Sequence, residues 1–152
     1  MPALPAEPDL LELREFPGAG DGAPLLPPRT ADNAPYWDGL RERRLVLQRC
    51  EGCARARFPV APVCPHCGAS AHSWQQLSGA GTVHSWVRYQ RSYLPQFELL
   101  MPYEVLCVSL NDGPRVFGRL ADAGEPPSIG MAVQALVERF PGGDCVLAFR
   151  GR

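Results

Sequence analysis

With 152 residues, 45% of them hydrophobic and 20% charged, and a formal net charge of −1, the chain has the make-up of a soluble globular protein of one domain or two small ones. That is too short for an eight-fold β/α barrel and too close to neutral for a strongly basic nucleic-acid binder. All 15 basic residues are arginine, which excludes chemistry that needs a Schiff-base or general-base lysine and leaves planar two-point contacts to phosphate or carboxylate.

Residues 1–33 are rich in Pro, Ala and Gly and mostly acidic in charge, a composition that buries too little apolar surface to offset its ordering entropy. This segment is expected to be a flexible tail, either without a role or carrying Leu10, Leu11, Leu13 and Phe16 as a short amphipathic docking turn. It has no basic start followed by an apolar stretch, and the chain has no uninterrupted apolar run of about 18 residues, so neither a secretory signal nor a membrane span is expected and the compartment is read as cytoplasmic.

The next unit is placed at 34–76. Asn33 is a candidate cap, Pro35 suits a first helical turn, and Tyr36 to Arg44 reads as a short helix with Trp37 and Leu40 on one face. Leu45 to Arg49 reads as a strand running into Cys50-x-x-Cys53, and ten residues later comes Cys64-x-x-Cys67. In a reducing compartment two such knuckles are a metal site rather than a disulfide framework. Four thiolates can surround a zinc ion tetrahedrally at about 2.3 Å, and because all four positions are filled by protein the zinc is structural. Gly52 and Gly68 are placed where each knuckle turns. Arg49, Arg55 and Arg57 lie close by in sequence to offset the negative centre, and His66 is read as an exposed bystander.

From 77 to 152 the pattern becomes strand after strand. Alternation over 81–90, 103–110, 115–121, 131–138 and 144–150, with turn signals at Asn111–Pro114 and Pro141–Asp144, predicts a five-stranded Greek-key barrel of the OB type, with an open sandwich as the alternative. The fold class is therefore mainly β: an N-terminal helix, a zinc ribbon, then the barrel. Val83, Val87, Val105, Val116, Leu120, Met131, Val133, Val137, Leu147 and Phe149 are assigned to its interior. Cys145 alternates with Leu147 and Phe149 as a core thiol, and neither it nor Cys107 has a histidine nearby in sequence to make it a nucleophile.

Two surface features remain. His84, Trp86 and Arg88 alternate on the first of these strands and Arg115, Phe117 and Arg119 on the third, so a shared face would mix arginines with aromatics. It suits single-stranded nucleic acid, a nucleotide-bearing small molecule or protein partner, or simply an outer face covered by the rest of the chain. Between the first two strands, Arg91 to Tyr103 includes Tyr93, Leu94, Phe97, Leu99, Leu100 and Met101. A loop so apolar either covers the barrel or inserts into another protein.

The order Tyr36-Trp37, Leu45-Val46-Leu47-Gln48-Arg49-Cys50-x-x-Cys53, Phe58-Pro59, Cys64-Pro65-x-Cys67-Gly68, Trp74, Gly79-x-Gly81-Thr82-Val83-His84-Ser85-Trp86, Pro102-Tyr103, Asp112-Gly113-Pro114-Arg115 and Ile129-Gly130-Met131 resembles the DUF35 family over about 34–150. The resemblance implies a rubredoxin-like zinc ribbon joined to an OB fold. It further implies a non-catalytic subunit that accompanies a thiolase-like enzyme, an aldolase or a MaoC-like hydratase of acyl-CoA metabolism in a hetero-oligomer. The ligands of the structural Zn²⁺ are then Cys50, Cys53, Cys64 and Cys67. The candidate surface for the partner or for acyl-CoA comprises Trp86, Arg88, Arg91, Tyr93, Leu94, Phe97, Leu99, Tyr103, Arg115 and Phe117. A nucleic-acid-binding ribbon and barrel module is the competing class, and an independent hydratase or thioesterase a third.

Overall fold

A computed structural model describes residues 9–18, 26–122, 124 and 126–152. Helix α1 (Ala34–Arg41) leads into a three-stranded ribbon sheet of β2 (Leu45–Cys50), β3 (Ala56–Arg57) and β4 (His72–Leu77) in the order β3-β2-β4. Tyr36 and Leu40, one helical turn apart, are buried on α1 together with Gly39, with Trp37 packed partly against the core. Asn33 does not cap the helix with its side chain. Its Oδ1 accepts instead from the Thr30 N–H at 2.7 Å, which organises the approach to the helix. Gly39 is required by the turn from α1 into β2, since a Cβ there would lie 3.0 Å from both the Arg44 carbonyl oxygen and the Val46 side chain.

The remaining strands are β5 (Ala80–Tyr89), β6 (Tyr103–Leu110), β7 (Arg115–Leu120), β8 (Ala132–Arg139) and β9 (Cys145–Gly151). They close in the cyclic order β5-β6-β7-β9-β8, with β5 antiparallel to β8 and β7 parallel to β9. This is the expected five-stranded barrel, and closure removes its free edges. Val83, Leu106, Val108, Val116, Val133, Val137 and Phe149 are almost fully buried. Gly118 makes room for Phe149, whose ring atoms would lie 2.9 Å from any Cβ added there.

Two interior assignments change. Val83 pairs with Val108 and Ser85 with Cys107, so His84 is an extra residue in β5. Such a bulge reverses which face each later residue takes. Val87 is consequently 55% exposed, and Val105, its partner across the ladder, is half-buried on the same outer side. Trp86, opposite Leu106, turns inward and packs against the core. Alternation alone placed Val87 and Val105 inside and Trp86 outside.

The segment expected to be an unstructured tail contains a strand, β1 (Glu12–Glu15), paired in parallel with Leu136–Arg139 of β8. β5 pairs with β8 only over 132–134, and β1 takes the rest of that edge. Leu11 and Phe16 are buried at either end of it. Ion pairs tie Arg14 to Asp122 at 2.7 Å, Arg150 to Glu12 at 3.0 Å, and Arg139 to Glu15. Bulk composition hid this strand because its four residues and two apolar plugs are diluted among prolines. The rest of the expected tail up to residue 25 lies outside the described residues, apart from 9–11 and 16–18. Among the described residues no helix is long and apolar enough to cross a membrane.

Candidate metal centre and docking face

The ribbon builds two similar knuckles. In the first, Ala54 N–H donates to Cys50 O at 3.0 Å, and in the second Gly68 N–H donates to Cys64 O at 2.9 Å. The residue after the second cysteine takes a left-handed backbone in both, with φ of +63° at Ala54 and +79° at Gly68. Gly68 therefore has the turning role expected of it, whereas Gly52 is required for a different reason. A Cβ on Gly52 would lie 2.9 Å from Ala69 Cβ and 3.2 Å from Cys67 Sγ, so Gly52 lets the knuckles approach each other.

Their approach brings the four sulfurs of Cys50, Cys53, Cys64 and Cys67 within 4.8 Å of one another. Cys50 and Cys67 Sγ are 3.6 Å apart, and Cys53 and Cys64 Sγ 3.7 Å. A tetrahedron with zinc–sulfur bonds of about 2.3 Å has edges of about 3.8 Å, so the donor set fits zinc in both chemistry and spacing. Backbone N–H groups supply the second layer: Gly52 N and Cys53 N approach Cys50 Sγ at 3.3 and 3.5 Å. The N–H groups of Cys53 and Gly52 lower the Cys50 thiol. Backbone donation from His66, then from Cys67, brings Cys64 down to about 6. Cys67 is pulled down by the Ala69 N–H, yet the crowding of Cys50 and the other thiols together with burial outweighs this and pushes it up to about 11. Thiolates gathered this closely call for a cation. His66 stays outside the cluster, exposed, with Nδ1 3.0 Å from Arg55 Nη1. Cys145 is buried, and burial raises its thiol, the reverse of what a nucleophile needs.

The mixed arginine and aromatic face does not assemble. Because of the bulge, Trp86 and Arg88 lie on one side of the strands and Arg115, Phe117 and Arg119 on the other. Arg88 stacks 6.0 Å over Trp86 and donates from Nε to Glu104 Oε1 at 2.7 Å. Beside Arg115 and Arg119, the outer side of β5, β6 and β7 carries an apolar group: Val87, Val105, Cys107 and Phe117 are neighbours by register, and Phe117 is 59% exposed.

The long loop divides its residues between two roles. Pro95–Leu100 forms a 3₁₀ turn. Leu94 and Phe97 fold back half-buried, and the Phe97 ring lies 5.2 Å from Tyr103 and 5.1 Å from Phe16. Tyr93 and Leu99 project outward, 77% and 73% exposed, and Arg91 is also exposed. The site reading missed Phe16, Tyr89 and Phe140, which extend the ring series beneath the loop, and Glu138, buried beside Arg119. Only Tyr89 had a usable signal, its place at the loop's start opposite Tyr103. A separate cleft of about 490 Å³ opens between α1 and the ribbon, walled by Tyr36, Trp37, Phe58 and Pro62.

Two family models match, that of the "ChsH2, rubredoxin-like zinc ribbon domain" over 37–73 and that of the "ChsH2, C-terminal OB-fold domain" over 74–138. A DUF35 domain-containing scaffold protein of Pyrococcus furiosus is 36% identical over 69% of this chain and 77% of its own length. A probable enoyl-CoA hydratase alpha subunit of Thermomonospora curvata is 39% identical over 71% of this chain. This chain spans about a third of that relative, 34% of its length. Among solved structures, a chain of the Ltp2-ChsH2(DUF35) aldolase superposes with a TM-score of 0.73 and 33% identity, covering 83% of this chain and 98% of that one. A DUF35-family protein of unknown function from Sulfolobus solfataricus shares the fold, with a TM-score of 0.56 and 13% identity over 80% of this chain and 86% of that one.

Proposed function

This chain belongs to the DUF35 family of paired zinc-ribbon and OB-fold proteins, and from that premise we propose that it is a non-catalytic accessory subunit of an acyl-CoA-processing enzyme. The likeness to a DUF35 chain of an aldolase, at 33% identity over nearly all of that chain, carries the reading. Relatives named as scaffold proteins support the non-catalytic part of this reading, and one named as an enoyl-CoA hydratase alpha subunit supports the acyl-CoA part. The finer proposal is a thiolase-fold partner, held in a hetero-oligomer.

In this reading zinc held by Cys50, Cys53, Cys64 and Cys67 has no open coordination position and supplies rigidity, not Lewis-acid chemistry. The partner packs on Tyr93 and Leu99 and on the adjoining apolar face of Val87 and Phe117. Large exposed apolar side chains that are neighbours by register are a feature of association surfaces. Arg91 and Arg115 remain exposed for a phosphate of acyl-CoA, whereas Arg88 is engaged with Glu104. The nucleic-acid alternative is weakened, because the Trp86 and Arg88 pair lies on the opposite side from Arg115, Phe117 and Arg119, so the two sets make no single stacking surface, and the net charge is −1.

The test is co-purification of the zinc-loaded chain with a thiolase-fold acyl-CoA enzyme encoded beside it. Tyr93→Ser combined with Leu99→Ser is expected to lose the partner while zinc content and melting temperature are kept. Unchanged co-purification refutes the docking face. Turnover of an acyl thioester by the isolated chain refutes the accessory role.

A further inference from the structure

Apart from the docking reading, one cavity has the composition of a ligand site. About 420 Å³ in volume, it lies under the long loop and is lined by Phe16, Tyr89, Phe97, Tyr103 and Phe140, with Arg119 and Glu138 in its wall and the exposed Tyr93 among its lining residues. Small-molecule sites run from about 300 to 1,000 Å³, mostly apolar with a few polar groups. Its place is also telling: it sits between the loop joining the first two barrel strands and the Phe140 end of the fourth, where OB folds commonly take ligands.

The polar wall limits the ligand's charge. Arg119 Nη2 donates to Glu138 Oε1 at 2.5 Å, and Nη1 donates to Leu120 O at 3.1 Å. The pair is formally neutral, so a charged ligand meets one attractive and one repulsive group. Arg119 Nε–H, however, is buried and has no acceptor among the described residues. A ligand oxygen supplies what it lacks.

The walls limit the ligand's shape. The chain already seats a neutral ring here, for Phe16 stacks on Phe140 at 4.1 Å and Arg119 lies 5.9 Å over the Phe16 ring. Phe97, Tyr103 and Tyr89 continue the series at centroid spacings of 5.2 and 5.0 Å. We propose that this cavity binds a neutral, flat ring compound bearing one carbonyl or hydroxyl oxygen, the ring packed among Phe16, Phe97 and Tyr103 and the oxygen on Arg119. The site does not depend on a partner subunit, so its test leaves the accessory reading standing or falling on its own.

The full, zinc-loaded chain with isotope-labelled aromatic side chains is titrated with 2-naphthol, naphthalene and 2-naphthoate and followed by NMR. The expected result is that 2-naphthol shifts the Phe97 and Tyr103 resonances and binds about tenfold more tightly than naphthalene, the worth of one hydrogen bond. 2-Naphthoate is expected to bind no more tightly than 2-naphthol. Phe97→Ala should weaken 2-naphthol about tenfold with zinc content unchanged. Absence of shifts at saturating probe, equal affinity for naphthalene and 2-naphthol, or tightest binding of 2-naphthoate would overturn the assignment. The three-probe comparison needs no variant and stands even where Phe97→Ala does not fold.

Discussion

Replacing Arg119 by Met removes the sole ion-pair partner that Glu138 has among the described residues, in a place where the Glu138 side chain is 2% exposed. Burial already raises the Glu138 carboxyl above its ordinary value, with Arg119 opposing the rise, and the substitution takes that opposition away. A buried charge left alone costs about 3–5 kcal/mol. Protonation sets a ceiling on that cost, which at pH 7 is about 3.7 kcal/mol, or about 1.36 kcal/mol for each pH unit above an unfolded value near 4.3. The sign follows from linkage: the folded variant holds a proton that the unfolded chain has lost, so its stability falls as pH rises and recovers as pH falls. The deficit of Arg119→Met against the parent, whose own raised carboxyl already carries part of this cost, is therefore expected to be at most about 3–4 kcal/mol at pH 7 and to shrink by about 2 kcal/mol on going to pH 5.5. Urea denaturation of zinc-loaded protein at a series of pH values measures it. Adding Glu138→Gln should flatten the pH dependence. A deficit below about 1 kcal/mol at pH 7, or one equal at the two pH values, refutes the reasoning.

Cys64→Ser is expected to abolish stoichiometric zinc by elemental analysis and to unfold the ribbon, since structural zinc contributes on the order of 10 kcal/mol; one zinc per chain is expected in the parent. Gly52→Ala should weaken zinc retention against a chelator, because the added methyl would meet Ala69 and Cys67 between the knuckles. The bulge at His84 is tested by a pair of neighbours in β6: Leu106→Ala should cost about 2–5 kcal/mol in a denaturation curve, and Val105→Ala under about 1 kcal/mol. Equal costs would mean that the strand faces have been assigned wrongly. Phe16→Ala should cost about 3 kcal/mol or more and speed amide exchange in β1 and in Leu136–Arg139; protection equal to the parent's would show that Phe16 does not anchor β1.

The ribbon was legible because its chemistry is local. Two cysteine pairs ten residues apart admit one compact arrangement, and the structure gathers those four sulfurs. The barrel strands were legible from alternation, and their boundaries fall within about a residue or two of those expected. What failed was whatever depends on a single inserted residue or on distant pairing. His84 has no mark in the sequence to identify it as the bulge, so Trp86 and Val87 were placed on the wrong faces; Val105, on the unbulged β6, was misplaced because apolar residues stand at both 105 and 106. The proposed surface of Trp86 and Arg88 with Arg115 and Phe117 failed with them. β1 escaped because its pairing partner is more than a hundred residues away, and sequence patterning reports only near neighbours. Arg119 and Glu138 are each ordinary in sequence, and only the β7–β9–β8 pairing brings them together. The apolar loop left two readings open, and the structure shows why: Phe97 lies against neighbouring rings while Tyr93 and Leu99 face solvent.

The parallel pairing of β1 with β8 has a consequence for synthesis on the ribosome. Glu15 and its ion-pair partner Arg139 are 124 residues apart, so β1 emerges well before β8 and must wait until β8 has been made. Until it docks, the outer half of β8 offers unpaired N–H and C=O groups to any extended polypeptide that meets it. Newly made molecules thus pass through an adhesive interval that closes only when β1 returns to β8, the strand made more than a hundred residues later.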